Sequence, residues 1–244
     1  MNLTIETWTS AYAAAQTALT ATEAALALAP HYLDTSKNGT DSGTVATFAL
    51  IRPPGHHATT NLCGGYCYLN NVMICASYVL RQHPKMKCLI VDVDFHHGNG
   101  VEEILHRQQS DDWTRRCQYI SLHAHPDYPY YTTHLPTPLA KSVSAQAYLA
   151  ALAERLDAVR EWCGRETLVL VSLGLDTFST DPIGGFAGFT SRNEYFDIGS
   201  EIGRFVRLVG GKTCFLLEGG YVVERLGECV EGVFRGYVYE LGNK

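Results

Sequence analysis

Apolar residues in this chain gather in short runs that end on charged or aromatic side chains. Cys88-Leu-Ile-Val-Asp92 is apolar almost throughout and predicts a strand buried on both faces. Four other runs share its form. They are Thr44–Ile51 before Arg52-Pro-Pro-Gly-His-His57, Arg116–Ile120 before Ser121-Leu-His123, Glu166–Leu175 before Asp176, and Lys212–Leu217 before Glu218-Gly-Gly-Tyr221. Between the runs the apolar positions take helical spacing, over Tyr68–Leu80, Val101–Leu105, Ala145–Trp162 and Glu194–Leu208. This alternation predicts an α/β protein, a three-layer sandwich with a mostly parallel sheet flanked by helices. Open α/β sheets bind ligands beyond the carboxyl ends of their strands, so the five endings point to one shared site.

Thr7–Ala29 is alanine-rich and stops at Pro30, which predicts a packing helix. Its threonines, Gln16 and Glu23, and the lack of a basic head, fit neither a signal peptide nor a membrane span. His31–Gly43 and Thr132–Ser144 are polar and turn-forming and are predicted as loops. Residues 1–43 therefore form an N-terminal helix and loop, and 44–244 the body of a single domain. The 244 residues, 46% of them hydrophobic, suffice for one substantial core. A formal charge of −6 gives no electrostatic reason for nucleic-acid binding. The eight cysteines form no CxxC pair and several sit in apolar runs, as reduced core residues of a cytoplasmic or nuclear protein would.

The chemistry concentrates after the run at 88–92. Burying an unpaired carboxylate costs several kcal/mol, so a strand ending in Asp92-Val-Asp94-Phe-His96-His97 needs a cation or a hydrogen-bond network. The bland alternative is a solvated loop. Asp94 and His96 lie two residues apart and point to the same side of an extended chain, an oxygen and a nitrogen ligand suited to a divalent metal such as zinc.

Arg52-Pro-Pro-Gly-His-His57, Gly65-Tyr-Cys-Tyr-Leu-Asn-Asn71, Asp92–Gly100, Gly174-Leu-Asp176 and Glu218-Gly-Gly-Tyr221 resemble, in the same order, the zinc-dependent histone deacetylase superfamily of arginase/deacetylase fold. The carboxyl-terminal half looks most like the acetylpolyamine amidohydrolase branch. The resemblance implies one zinc held by Asp94, His96 and Asp176. It implies His57 as general base and acid, His56 as its electrostatic support, Asp92 as partner of His56, Asn99 as orienter of His57, and Tyr221 as donor to the substrate carbonyl. Asp92, with Ser121 and Leu122, would also hold a monovalent cation, K+. Gly65, Tyr66 and Gly219 would line the substrate channel, with Tyr128, Tyr130 or Tyr131 as its second aromatic wall. The implied function is a deacetylase of acetylated amines, either acetyl-lysine in proteins or acetylated polyamines, with no membrane or nucleic-acid partner.

Two departures from the family stand out. Only about fifty residues precede the Pro-Gly-His-His segment, where the family has a further strand and helices. The expectation is an open sheet edge, either covered by Thr7–Ala29 or paired with another copy of the chain as a homo-oligomer. The loop after His123 is replaced by Ala124–His134. Two rival readings follow: a catalytically silent homologue serving as a binding or scaffolding protein, and a manganese enzyme of arginase type.

Overall fold

The computed structural model describes residues 4–27, 46–108, 110–124 and 138–242. Its strands are β1 (Ala46–Ala49), β2 (Lys87–Asp92), β3 (Cys117–Ser121), β4 (Thr167–Leu173) and β5 (Lys212–Leu217), and they form one sheet in the order β1-β5-β4-β2-β3. Every pairing is parallel. The helices are α1 (Ile5–Ala27), α2 (Asn71–Gln82), α3 (Asn99–Arg107), α4 (Asp111–Arg116), α5 (Ala145–Val159), α6 (Arg192–Val209) and α7 (Val223–Gly242).

Successive side chains on a strand face opposite ways, and β5 shows the three layers directly. Cys214 accepts a hydrogen bond from Thr22 of α1 at 3.7 Å. Thr213 and Phe215 face the other way, onto Tyr237 Oη at 2.8 Å and the Phe234 ring at 5.1 Å, both on α7. All of β4 is buried, and its apolar run Leu168–Val171 matches that. Each Val or Leu enclosed this way contributes about 1.5–3 kcal/mol relative to exposure.

Helix boundaries follow local hydrogen bonding. Helix α2 begins at Asn71, later than its apolar periodicity predicts. Gly64 to Cys67 form a tight two-bond turn, and the Asn70 side chain then caps the helix by accepting from Met73 N. Ser191 and Glu194 cap α6 reciprocally, and Gly210 in left-handed conformation ends it. Helix α5 stops at Val159 and continues to Trp162 only as turns. Strand β4 ends at Leu173, two residues earlier than its apolar run.

Helix α1 forms as expected and lies over β1, β5 and α2. Thr47 donates to Ala21 O at 2.8 Å and Lys212 to Leu26 O at 3.0 Å. It thus covers a face of the sheet. Among the described residues no strand pairs with the outer side of β1. The predicted loop His31–Gly43 lies outside the described residues.

Candidate active site

The strand order turns around between β2 and β4. The chain leaves β2 for the edge at β3, then returns to β4 on the other side. Such a switch point opens a crevice at the carboxyl ends of the strands, and the residues after β2 and β4 meet there. Asp94 and His96 follow β2 and Asp176 follows β4. One ligand-type atom from each lies within 4.8 Å of the others. His96 Nδ1 stands 2.7 Å from Asp176 Oδ2 and 3.4 Å from Asp94 Oδ1. The expected convergence is present, and the carboxylates do not diverge across the sheet.

The backbone fixes the remaining lone pairs of these acids. Asp94 accepts from His96 N at 2.8 Å and Gly219 N at 2.9 Å, and Asp176 accepts from Phe95 N at 3.0 Å. Gly219 has to be glycine here, because a Cβ would fall 2.7 Å from a carboxylate oxygen of each acid. Burial and the charge of Asp94 push Asp176 up to about 7, while Asp94, despite its own burial, is held low by His56 and His96. Burial works against protonation of His96, but hydrogen bonds to Asp176 and Asp94 outweigh it and raise the ring to about 10. Two buried carboxylates competing for one imidazole, with both chemistries facing one point, form a donor set that fits a small divalent cation with an open position.

The tandem histidines stand beside this centre with ring centroids 4.0 Å apart. His56 Nδ1 meets Asp92 Oδ2 at 3.0 Å, and His56 Nε2 lies 3.8 Å from Asp94 Oδ1. Burial opposes charge on His56, but Asp94, Asp92 and Glu218 override it and raise its pKa well above 6.5. His57 goes the opposite way. Burial and the neighbouring His56 hold it well below 6.5, so it is neutral at pH 7. Its Nδ1 stands 2.7 Å from Asn99 Oδ1, an acceptor, so the proton resides on Nδ1 and Nε2 carries the basic lone pair. Gly65, at φ +52°, packs its backbone on the His57 ring, where a Cβ would come within 2.2 Å of ring carbon Cδ2.

Tyr221 is half-buried, and its ring lies 5.7 Å from that of Tyr66, which is itself about half exposed. Burial and the charges of Asp94 and Asp176 raise its phenol far above 10, so the hydroxyl keeps its proton and remains a donor. Arg52 lies over the Tyr221 ring and donates to Glu218 O and to Gly220 O, the latter at 2.7 Å. The Glu218 carboxylate returns the contact, accepting from Gly55 N at 2.7 Å and His56 N at 3.2 Å. The histidine segment and the Tyr221 segment are thus bolted together, by two side chains to which the sequence alone assigned no role.

Asp92, Ser121 and Leu122 do come together. Asp92 pairs in register with Ser121, and Leu122 N donates to Asp92 O at 2.9 Å. Their side-chain oxygens, however, already have partners. Tyr119 Oη donates to Asp92 at 2.9 Å, and Ser121 Oγ sits 2.8 Å from His123 Nδ1. Arg155 sets its guanidinium against Ser121 O, so the chain supplies positive charge to this corner itself. Asp92, Ser121 and Leu122 thus meet at one corner, held there by hydrogen bonds from the chain's own groups. Tyr128, Tyr130 and Tyr131 lie outside the described residues.

A parallel α/β sheet with an acid–imidazole–acid centre at its switch point defines a protein of arginase/deacetylase architecture. The histone deacetylase domain matches residues 2–237, and the chain belongs to that family. It is 34% identical over 250 residues to acetylpolyamine amidohydrolase 1 of Pseudomonas aeruginosa, covering 96% of this chain and 64% of that one. It is 31% identical to the chloroplastic histone deacetylase 14 of Arabidopsis thaliana, covering 92% of this chain and 54% of that protein. The crystal structure of acetylpolyamine aminohydrolase from Burkholderia pseudomallei superposes with a TM-score of 0.76 at 29% identity, over 94% of this chain and 63% of that chain. The chain thus spans less than two thirds of the length of these relatives.

Proposed function

We propose that this protein is a zinc-dependent amidohydrolase that removes acetyl groups from acetylated amines. The observation that carries the reading is the Asp94–His96–Asp176 centre, with a neutral imidazole and a protonated phenol among its neighbours. Asp94, His96 and Asp176 would hold the zinc, which when bound supplies Lewis acidity and lowers the pKa of water.

The chain's own groups divide the proton work. His57 Nε2 takes a proton from the attacking water and returns it to the leaving amine. Asn99 keeps the His57 tautomer fixed during this exchange. Protonated His56, anchored on Asp92, stabilises the negative charge that builds as water adds to the amide. Tyr221 donates its hydroxyl to the carbonyl oxygen as charge grows there, a contact worth a few kcal/mol in the transition state.

Acetylated polyamines, named for several relatives, and acetyl-lysine, suggested by the plant deacetylase, are the two substrate classes the reading admits. Parallel assays of zinc-loaded protein on acetylspermidine and on an acetyl-lysine peptide test it. Hydrolysis of either, abolished by a chelator, is expected. A zinc-loaded, folded protein that cleaves neither would contradict the proposal.

A further inference from the structure

Asp181 belongs to no part of the mechanism above, yet it is a buried carboxylate on the loop that follows Asp176. Its Oδ1 accepts from Ile183 N at 3.0 Å and Gly184 N at 3.2 Å. Those contacts close its own turn, as aspartates in turns commonly do. Its Oδ2 does something different, reaching forty residues along the chain to accept from Tyr221 N at 2.7 Å.

The two ends of that contact matter to each other. Asp181 sits on the loop that starts at Asp176, and this loop is closed on itself by Gly185 N donating to Asp176 O at 2.8 Å and Asp181 N donating to Phe178 O at 2.8 Å. Tyr221 follows Gly219 and Gly220, the latter at φ +123°. Two glycines without side chains leave the direction of the next residue poorly determined. Gly219 N is fixed on Asp94 and Gly220 O on Arg52, whereas Asp181 holds the amide of residue 221 itself. A bond from a carboxylate to an amide is charge-assisted, shorter and about twice as strong as a neutral one.

We propose that Asp181 is a positioning residue for Tyr221. It ties the phenol's backbone to the loop carrying Asp176, so that hydroxyl and centre move as one unit. The proposal rests on the deacetylase reading for its kinetic consequence. Its structural consequence is independent of that reading. A displacement of about 1 Å in a catalytic donor costs on the order of a hundredfold in rate.

The test is a double-mutant cycle of Asp181→Ala and Tyr221→Phe, read with zinc content and amide hydrogen exchange over residues 218–222. Asp181→Ala is expected to retain zinc, to lower kcat ~10–100-fold with KM little changed, and to speed exchange of the Tyr221 amide. Added to Tyr221→Phe it should cost nothing further, because the donor it positions is already gone. A purely architectural role predicts the same proportional loss in both backgrounds. That result, or unchanged exchange at Tyr221, would overturn the proposal. Should Asp181→Ala fail to fold, the isosteric Asp181→Asn, which keeps one acceptor oxygen, enters the same cycle. An inactive but zinc-loaded parent protein would count against the deacetylase reading alone. The exchange measurement would then decide the role of Asp181.

Discussion

Asp176→Ala is expected to abolish both activity and zinc retention, whereas Tyr221→Phe should lower kcat by ~10²–10³ and leave zinc in place. The difference follows from position. Asp176 contributes a carboxylate oxygen 2.7 Å from His96 Nδ1, at the point where the three ligand-type atoms converge. Removing it leaves one acid and one imidazole, and strips Phe95 N of its acceptor. Tyr221 offers the centre nothing but a hydroxyl proton, which its raised pKa keeps in place through neutral and mildly alkaline pH. Phenylalanine preserves the ring contacts with Tyr66 and Arg52 and deletes only the donor. Metal analysis of the two purified variants beside their steady-state rates gives the answer. Equal zinc loss in both would show that Tyr221 has been given the wrong role.

His57→Ala should cost ~10²–10⁴ in kcat without loss of zinc, and the pH profile of the parent protein should bear the mark of the same residue. The base must be neutral to accept a proton, so activity is present above its pKa and lost below it. Burial and the adjacent His56 depress that pKa below the ordinary 6.5. Activity should therefore persist through pH 6.5 and fall only at lower pH, staying high on the mildly alkaline side. Zinc retention also weakens on acidification, since His96 must be unprotonated and the acids ionised to serve as ligands. Zinc content measured at each pH separates the two causes. A rate that rises between pH 7 and pH 5 would contradict the assignment of His57 as base.

Strands β2, β4 and β5 are legible in the sequence because a strand covered on both faces must be apolar almost throughout, as Leu168 to Val171 are. Their order is not, because crossovers and not local pattern decide which strands become neighbours. Helix α7 escapes prediction for a physical reason. Gly227, Gly232, Gly236 and Gly242 lower its helix propensity. Two of them are the residues that let it touch α6, since a Cβ on Gly236 would fall 1.9 Å from Phe196 O and one on Gly232 2.6 Å from Arg192 O. The short α4 gives no periodic signal over its six residues.

At the site, the spacing of Asp94 and His96 after an apolar run is by itself a signal for a metal. The division of labour proposed for His56 and His57 follows only from resemblance, and the pKa displacements of the two rings run in opposite directions. Asp181, Glu218 and Arg52 carry no comparable signal. Each works on backbone amides or carbonyls of a distant loop, and a sequence records the side chain without its partner. Burial raises the carboxyl of Glu218 to about 7.

The most direct test is to strip the protein with a chelator, remove the chelator, and titrate zinc back while following hydrolysis of acetylspermidine or an acetyl-lysine peptide. A centre built from Asp94, His96 and Asp176 predicts no activity in the stripped protein and a linear recovery that levels off at one zinc per chain. Full activity in verifiably zinc-free protein, or recovery that requires two metals per chain, would contradict it.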